Sequence, residues 1–311
     1  MITQDIRSKI KKIKIHTKRV MQSSLSGDYL SAFKGSGLEF DQLREYSAGD
    51  DVRFIDWNSS AKMNKIMVKQ FIEERDRTII LAIDLSASTL YSSGQELRRD
   101  SIAQIAAAIA FIANHNKDKI GALFFSDHIE EWIAPSRGNV HVGKIIEKLF
   151  SISVTGPNTS PNKKLHRESG AQVNTRLTKQ TNINEALKFL VNLKKRSAVV
   201  FMLSDWIDNQ DEYSKLLRLA SCKYDFIGVR LLDECERNFP DIGLLDVIDP
   251  ETGQQFVLDS RKVKMLGKIL TTRLIEQKAL FDKYRIDLLD IALGKPFLTP
   301  LVHFFSQRIR R

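Results

Sequence analysis

The chain has 311 residues, 42% of them hydrophobic and 28% charged, which is room for one large domain with an extension or for two small ones. No apolar run approaches the roughly 20 residues that cross a bilayer, no apolar core follows the basic N-terminus, and Cys222 and Cys235 form no CxxC pair. Disulfide scaffolds and cysteine metal sites are thereby excluded, and the expectation is a cytoplasmic protein with two buried thiols. Its net charge of +10 falls in three separated patches without interleaved aromatics: Arg7 to Arg19, Lys163 to Lys179, and Arg308 to Arg311. That pattern argues for a solvated or acid-facing surface rather than a nucleic-acid module.

In chain order, Ile6, Ile10, Ile13 and Val20 recur among the lysines at near-helical spacing. They predict a basic amphipathic helix whose narrow stripe packs on protein or makes a weak peripheral contact with an anionic membrane. From Gly27 to Arg77 the pattern is irregular and turn-rich, so residues 1–76 read as the basic helix plus an accessory subdomain of short strands. Within it, Asp50, Asp51, Arg53 and Asp56 surround Val52, Ile55 and Trp57, a composition suited to pinning a loop by ion pairs or to meeting a partner.

From residue 77 onward, strands and helices alternate. A strand starting at Ile79 precedes a helix over Leu97–His115; Lys119–Phe125 and His128–Ile133 are short strands; Val140–Phe150 is helical. Residues 151–180 are polar, basic and aperiodic, and predict a mobile loop. Then follow a helix at Ile183–Leu193, a strand at Ala198–Leu203, a helix at Tyr213–Cys222 and a strand at Asp225–Leu231. A hairpin over Leu244–Ile248 and Gln255–Leu258, a helix over Ser260–Tyr284, a strand at Ile286–Ile291 and a helix at Leu298–Arg310 complete the reading. The fold class is α/β, with a doubly wound, mostly parallel sheet over 77–311.

Two strands carry chemistry at their ends. The apolar run from Ile79 stops at Asp84, with hydroxyls following at Ser86 and Ser88. The run from Val199 ends at Ser204 and Asp205. Ligands of open α/β sheets lie beyond the carboxyl ends of the strands, so adjacent strands would bring Asp84 and Asp205 together. Two nearby carboxylates repel each other unless a cation or a proton intervenes, and an oxygen-only donor set suits Mg²⁺ or Mn²⁺. Thr181, just before a helix, is either a further ligand or that helix's cap.

Asp84-Leu-Ser86-Ala-Ser88 resembles the Asp-x-Ser-x-Ser signature of von Willebrand factor A-type domains, where it begins a metal-ion-dependent adhesion site. Upstream, Gly37–Phe40, Arg44-Glu-Tyr46, Gly49–Trp57 and Val68–Phe71 resemble the bacterial "domain of unknown function fifty-eight" family, whose members place such a block before an A-type domain. The resemblance covers most of the chain from Gly27. It implies a metal set of Asp84, Ser86, Ser88, Thr181 and Asp205, with Thr175 and Thr178 as alternatives to Thr181.

It also implies a non-catalytic, Mg²⁺-dependent protein-binding module that accepts an acidic residue from its partner. The basic residues of 151–180 would help attract that partner. Relatives of this family are commonly paired with MoxR-type AAA+ ATPases, which implies an adaptor or co-chaperone role in assembling complexes. Two other readings are a haloacid-dehalogenase-like phosphatase with Asp84 as nucleophile, and nucleic-acid binding through the basic patches. The first lacks its general acid, because Ser86 stands where that carboxylate belongs. The second predicts affinity falling steeply with salt.

Overall fold

A computed structural model describes residues 11, 37–74, 77–94, 96–154, 181–194, 198–237, 243–248, 255–259 and 264–309. The basic helix around Ile6–Val20, apart from Lys11, and the loop from residue 155 to Gln180 lie outside these residues. Two compact units are formed, one of them Phe33–Arg77.

In that small unit, β1 (Gly37–Glu45) pairs antiparallel with β2 (Met67–Glu74), and the register slips between Phe40 and Gln42. Between them lies α1 (Trp57–Met63), a helix absent from the expected run of short strands. The Asp56 carboxylate caps it, accepting from the Asn58 and Ser59 N–H groups at 3.1 and 3.2 Å. A capping aspartate and a seven-residue span carry too little apolar periodicity to be seen in sequence. The expected ion pairing forms in part: Arg53 holds Asp51 at 2.6 Å, while Asp50 is gripped in a bidentate contact at 2.5 and 2.7 Å by Arg44 of β1, a partner not expected from the sequence. Of the apolar residues they surround, Val52 and Trp57 stay exposed, while Ile55 bridges to Val68.

The large unit is built on a six-stranded sheet. In chain order its elements are β3 (Thr78–Asp84), α2 (Arg98–His115), β4 (Lys119–Phe125), β5 (Ile129–Ser136), α3 (Asn139–Val154), α4 (Ile183–Asn192), β6 (Val199–Ser204), α5 (Gln210–Lys223), β7 (Asp225–Leu232) and α6 (Glu234–Arg237). The hairpin β8 (Leu244–Ile248) and β9 (Gln255–Asp259), then α7 (Lys264–Lys283), β10 (Asp287–Ala292) and α8 (Leu298–Ile309) follow. Strand order is β10-β7-β6-β3-β4-β5, parallel except for the antiparallel edge strand β5. This is the doubly wound, mostly parallel sheet expected of an A-type domain, with the order reversing between β3 and β6. The α3 helix extends to Val154, four residues into the stretch expected to be loop.

β3, β4 and β6 are almost wholly buried because helices cover both sheet faces. On one face Ile80, Ala82, Leu123, Phe125, Val200 and Met202 pack against Ile183, Leu187 and Leu190 of α4, Tyr213 and Leu217 of α5, and Phe281 of α7. On the other lies α2, whose Ile102, Ile105, Ile109, Ile112 and intervening alanines are all buried; small residues let so apolar a helix lie close to the strands. A Cβ at Gly228 of β7 would overlap the Phe281 ring, so glycine there permits α7 to seat. The thiols depart from expectation: Cys222 is exposed near the end of α5, and Cys235 is half-buried in the short α6.

Candidate metal centre

The sheet places the chemistry. β3 and β6 are neighbours at the point where strand order reverses, and parallel register puts Ile83 beside Leu203, hence Asp84 level with Ser204. The Ser204 hydroxyl donates to Asp84 Oδ2 at 2.6 Å, while Ser86 N–H donates to Oδ1 at 2.9 Å. Having given its one proton to Asp84, Ser204 Oγ accepts the Trp206 N–H at 3.0 Å. The Ser86 and Ser88 hydroxyls lie 2.9 Å apart, and Thr89 Oγ1 donates to the Ser86 carbonyl at 2.7 Å, fixing the turn.

Asp205 follows one residue beyond β6. Its Oδ1 accepts the Ile207 N–H at 3.0 Å, and its Oδ2 is held by Arg98 Nη1 at 2.8 Å. The backbone at Trp206 is left-handed, with φ 59°, a conformation unusual for a bulky residue. It turns the chain so that both strand-end oxygens meet N–H groups and sends the indole inward, edge-on to Phe281 at 4.8 Å.

Thr181 reaches this edge through its neighbours. Asn182 N–H donates to the Ser126 carbonyl just past β4 at 2.9 Å, and Ile183 N–H donates to Asp208 Oδ2 in the β6–α5 connection at 2.8 Å. The cap of α4 is the Asn182 side chain, which accepts from Glu185 N–H at 3.0 Å, so the cap role weighed for Thr181 belongs to its neighbour. Asp84, Ser86, Ser204 and Asp205 are buried, whereas Ser88 and Thr181 are half-buried. Ser88 and Thr181 are thus the more exposed of these residues.

Electrostatics mark the same spot. Burial, with the Asp205 charge behind it, pushes the Asp84 carboxyl up to about 7, against hydrogen bonds from Ser204 and Ser86 that favour the anion. Burial also opposes the Arg98 charge, but Asp205 and Glu236 outweigh it and hold that guanidinium above its ordinary value. Arg99 is lowered by burial despite the nearby Asp84; it donates to the Leu85 carbonyl at 2.9 Å.

The donor set fits a small hard cation. Metal–oxygen distances of about 2.0–2.1 Å place neighbouring octahedral ligands about 2.9–3.0 Å apart. The 2.9 Å between Ser86 and Ser88 Oγ matches that spacing and is equally the length of the hydrogen bond these hydroxyls make. Two further groups were not foreseen from sequence: Ser204, whose role depends on register, and Arg98. The arginine left a trace, because Arg98-Arg99 opens α2 with positive charge where the helix dipole favours negative.

A family model described as "Protein of unknown function DUF58" matches residues 42–274. "Uncharacterized protein Rv1480" and "Uncharacterized protein MT1527", both of Mycobacterium tuberculosis, are each 22% identical over 303 residues, covering 97% of this chain and 89% of theirs. Among solved structures, an aerotolerance-related membrane protein from Bacteroides fragilis aligns at 11% identity over 75% of this chain and 98% of its own, with a TM-score of 0.45. BatB from Bacteroides thetaiotaomicron aligns at 11% over 76% and 100%, with a TM-score of 0.44. The von Willebrand factor A domain of SpRpn10 aligns at 10% over 75% and 93%, with a TM-score of 0.36. At these scores the fold assignment rests on the sheet topology itself. Among the described residues, no helix is long and apolar enough to cross a membrane.

Proposed function

The chain belongs to the DUF58 family, and from that premise and the strand-end geometry we propose that it is a non-catalytic module that binds proteins through a Mg²⁺ or Mn²⁺ ion. Asp84, Ser86, Ser88 and Thr181 would hold the ion. Asp205 would act from one shell further out, since Arg98 and the Ile207 N–H already engage its two oxygens. One observation carries the reading: a buried carboxylate whose charge is disfavoured stands beside a second carboxylate and two hydroxyls 2.9 Å apart, where the strand order reverses.

The bound ion would supply a Lewis-acidic position for an oxygen ligand. The chain's own groups orient the donors, and an incoming group would enter past the half-buried Ser88 and Thr181. An acidic residue of a partner fits there, because a dication backed by Arg98 and Arg99 is left with few anionic ligands of its own. The family resemblance suggests a MoxR-type AAA+ ATPase as partner, with this chain as adaptor or co-chaperone on the inner side of the membrane or free of it. The test is calorimetry with Mg²⁺ and Mn²⁺, repeated with an acidic peptide present, on the natural chain and on folded Asp84→Ala and Asp205→Ala proteins. Cation binding strengthened by the peptide and lost in both variants is expected; binding unchanged in both would refute the site. Co-elution with the ATPase that disappears in EDTA is the expected signature of the partner.

A further inference from the structure

Arg98 is an unusual residue to find at the head of a buried helix. Its side chain is 1% exposed, it opens α2 against the helix dipole, and the N-cap Leu97 supplies no side-chain hydrogen bond. What compensates the guanidinium is a pair of carboxylates from distant segments: Asp205 at 2.8 Å and Glu236 at 2.5 Å. Its Nε, buried as well, meets no acceptor among the described residues.

The arginine is also locked in place. Glu236 Oε2 accepts the Asp233 N–H at 3.0 Å, and Asp233 accepts from Cys235 N–H at 2.9 Å, from Ser93 N–H at 2.7 Å and from the Ser93 hydroxyl. Hydrogen bonds from Ser93 hold the Asp233 carboxyl below its ordinary value although burial pushes it up. The β3–α2 connection, the start of α2, the end of β6 and the β7–α6 turn are therefore tied into one network around Arg98.

We propose that Arg98 is the positioning residue that sets how tightly the strand-end site holds a divalent cation, by keeping Asp205 as an outer carboxylate and by placing a fixed positive charge beside the ion. The proposal rests on the cation reading above. It follows from charge and geometry: a guanidinium hydrogen-bonded to Asp205 repels a dication at the same sheet edge and occupies an oxygen the ion would otherwise reach. Glu236 shares that guanidinium and offsets part of its charge. The two partners of Asp205's network therefore act on cation affinity in opposite directions, which no purely structural role for Arg98 would produce.

The experiment is a titration with Mn²⁺, following free Mn²⁺ by electron paramagnetic resonance, on the full chain at one pH and ionic strength. The natural protein is compared with Arg98→Met, Glu236→Gln and Asp84→Asn. Arg98→Met is expected to bind roughly tenfold tighter, and Glu236→Gln roughly threefold weaker. Weakened or unchanged binding in Arg98→Met, or unchanged or tighter binding in Glu236→Gln, would overturn the proposal. If Arg98→Met does not fold, Glu236→Gln decides by itself, because that side chain is only half-buried and glutamine keeps its size and one of its two acceptor oxygens. Absence of any Asp84-dependent Mn²⁺ binding in the natural chain would overturn the cation reading and this proposal together. Binding that Asp84→Asn abolishes, without the opposed shifts, would overturn this one alone.

Discussion

Two aspartate–arginine pairs in this chain share a chemistry and differ in everything else. Asp205 and Arg98 in the large unit are each 1% exposed, come from segments 107 residues apart, and sit among other buried charges. Asp51 and Arg53 in the small unit are 35% and 82% exposed and two residues apart. Solvent lets the second pair settle simply, with Arg53 holding the Asp51 carboxyl down at about 2. At the strand ends, burial dominates, and the neighbouring Asp84 is driven the other way, up to about 7. The same side chains thus make a local brace in one place and a charged, polarised site in the other, and burial is the difference.

The largest expected effect tests that contrast. Arg98→Ala strips a buried carboxylate of its partner and should lower stability by about 3–5 kcal/mol. Arg53→Ala should leave the unfolding midpoint unchanged within error, as exposed pairs contribute little. Urea unfolding of both variants checks it; equal losses would mean that burial is not what separates the pairs.

Next comes pH. Because the folded chain raises the Asp84 carboxyl from its ordinary 3.8 to about 7, it favours the neutral form. That contribution is complete below about pH 4 and is lost as pH rises through 7. In the absence of divalent ions the natural protein should therefore fall behind Asp84→Asn in stability between pH 5 and pH 8, and added Mg²⁺ should recover the loss only in the natural protein. A stability difference between the two proteins that is the same at both pH values would show that Asp84 titrates normally.

A smaller effect concerns the frame rather than the site. Gly228→Ala drives a methyl into the Phe281 ring and should cost about 1–3 kcal/mol, with Mn²⁺ affinity at the strand ends retained. Thermal unfolding and the Mn²⁺ titration together would show whether the α7 packing and the site are separable.

Much of this architecture was legible in the residues. Unbroken apolar runs ending at Asp84 and Ser204 announced strands buried on both faces, and the alternation with helices announced the parallel sheet. Asp84, Ser86 and Ser88 could be read as one cluster because they lie within five residues, and the structure places them together. The short α1 was not legible, since seven residues and one capping aspartate give no period to detect. The exposure of Val52 and Trp57 was equally hidden, because an apolar side chain carries no mark of which face it will occupy.

By itself, then, the sequence determined the strand ends, their carboxylates and their hydroxyls, because those depend on local pattern and on the rule that ligands gather where strands finish. Only the tertiary structure decided who meets whom. Register put Ser204 rather than Asp205 against Asp84, and an arginine far along the chain was brought to Asp205 by the packing of α2 on the sheet. Pairings of that kind depend on how separate elements are juxtaposed, and no spacing along the chain encodes them.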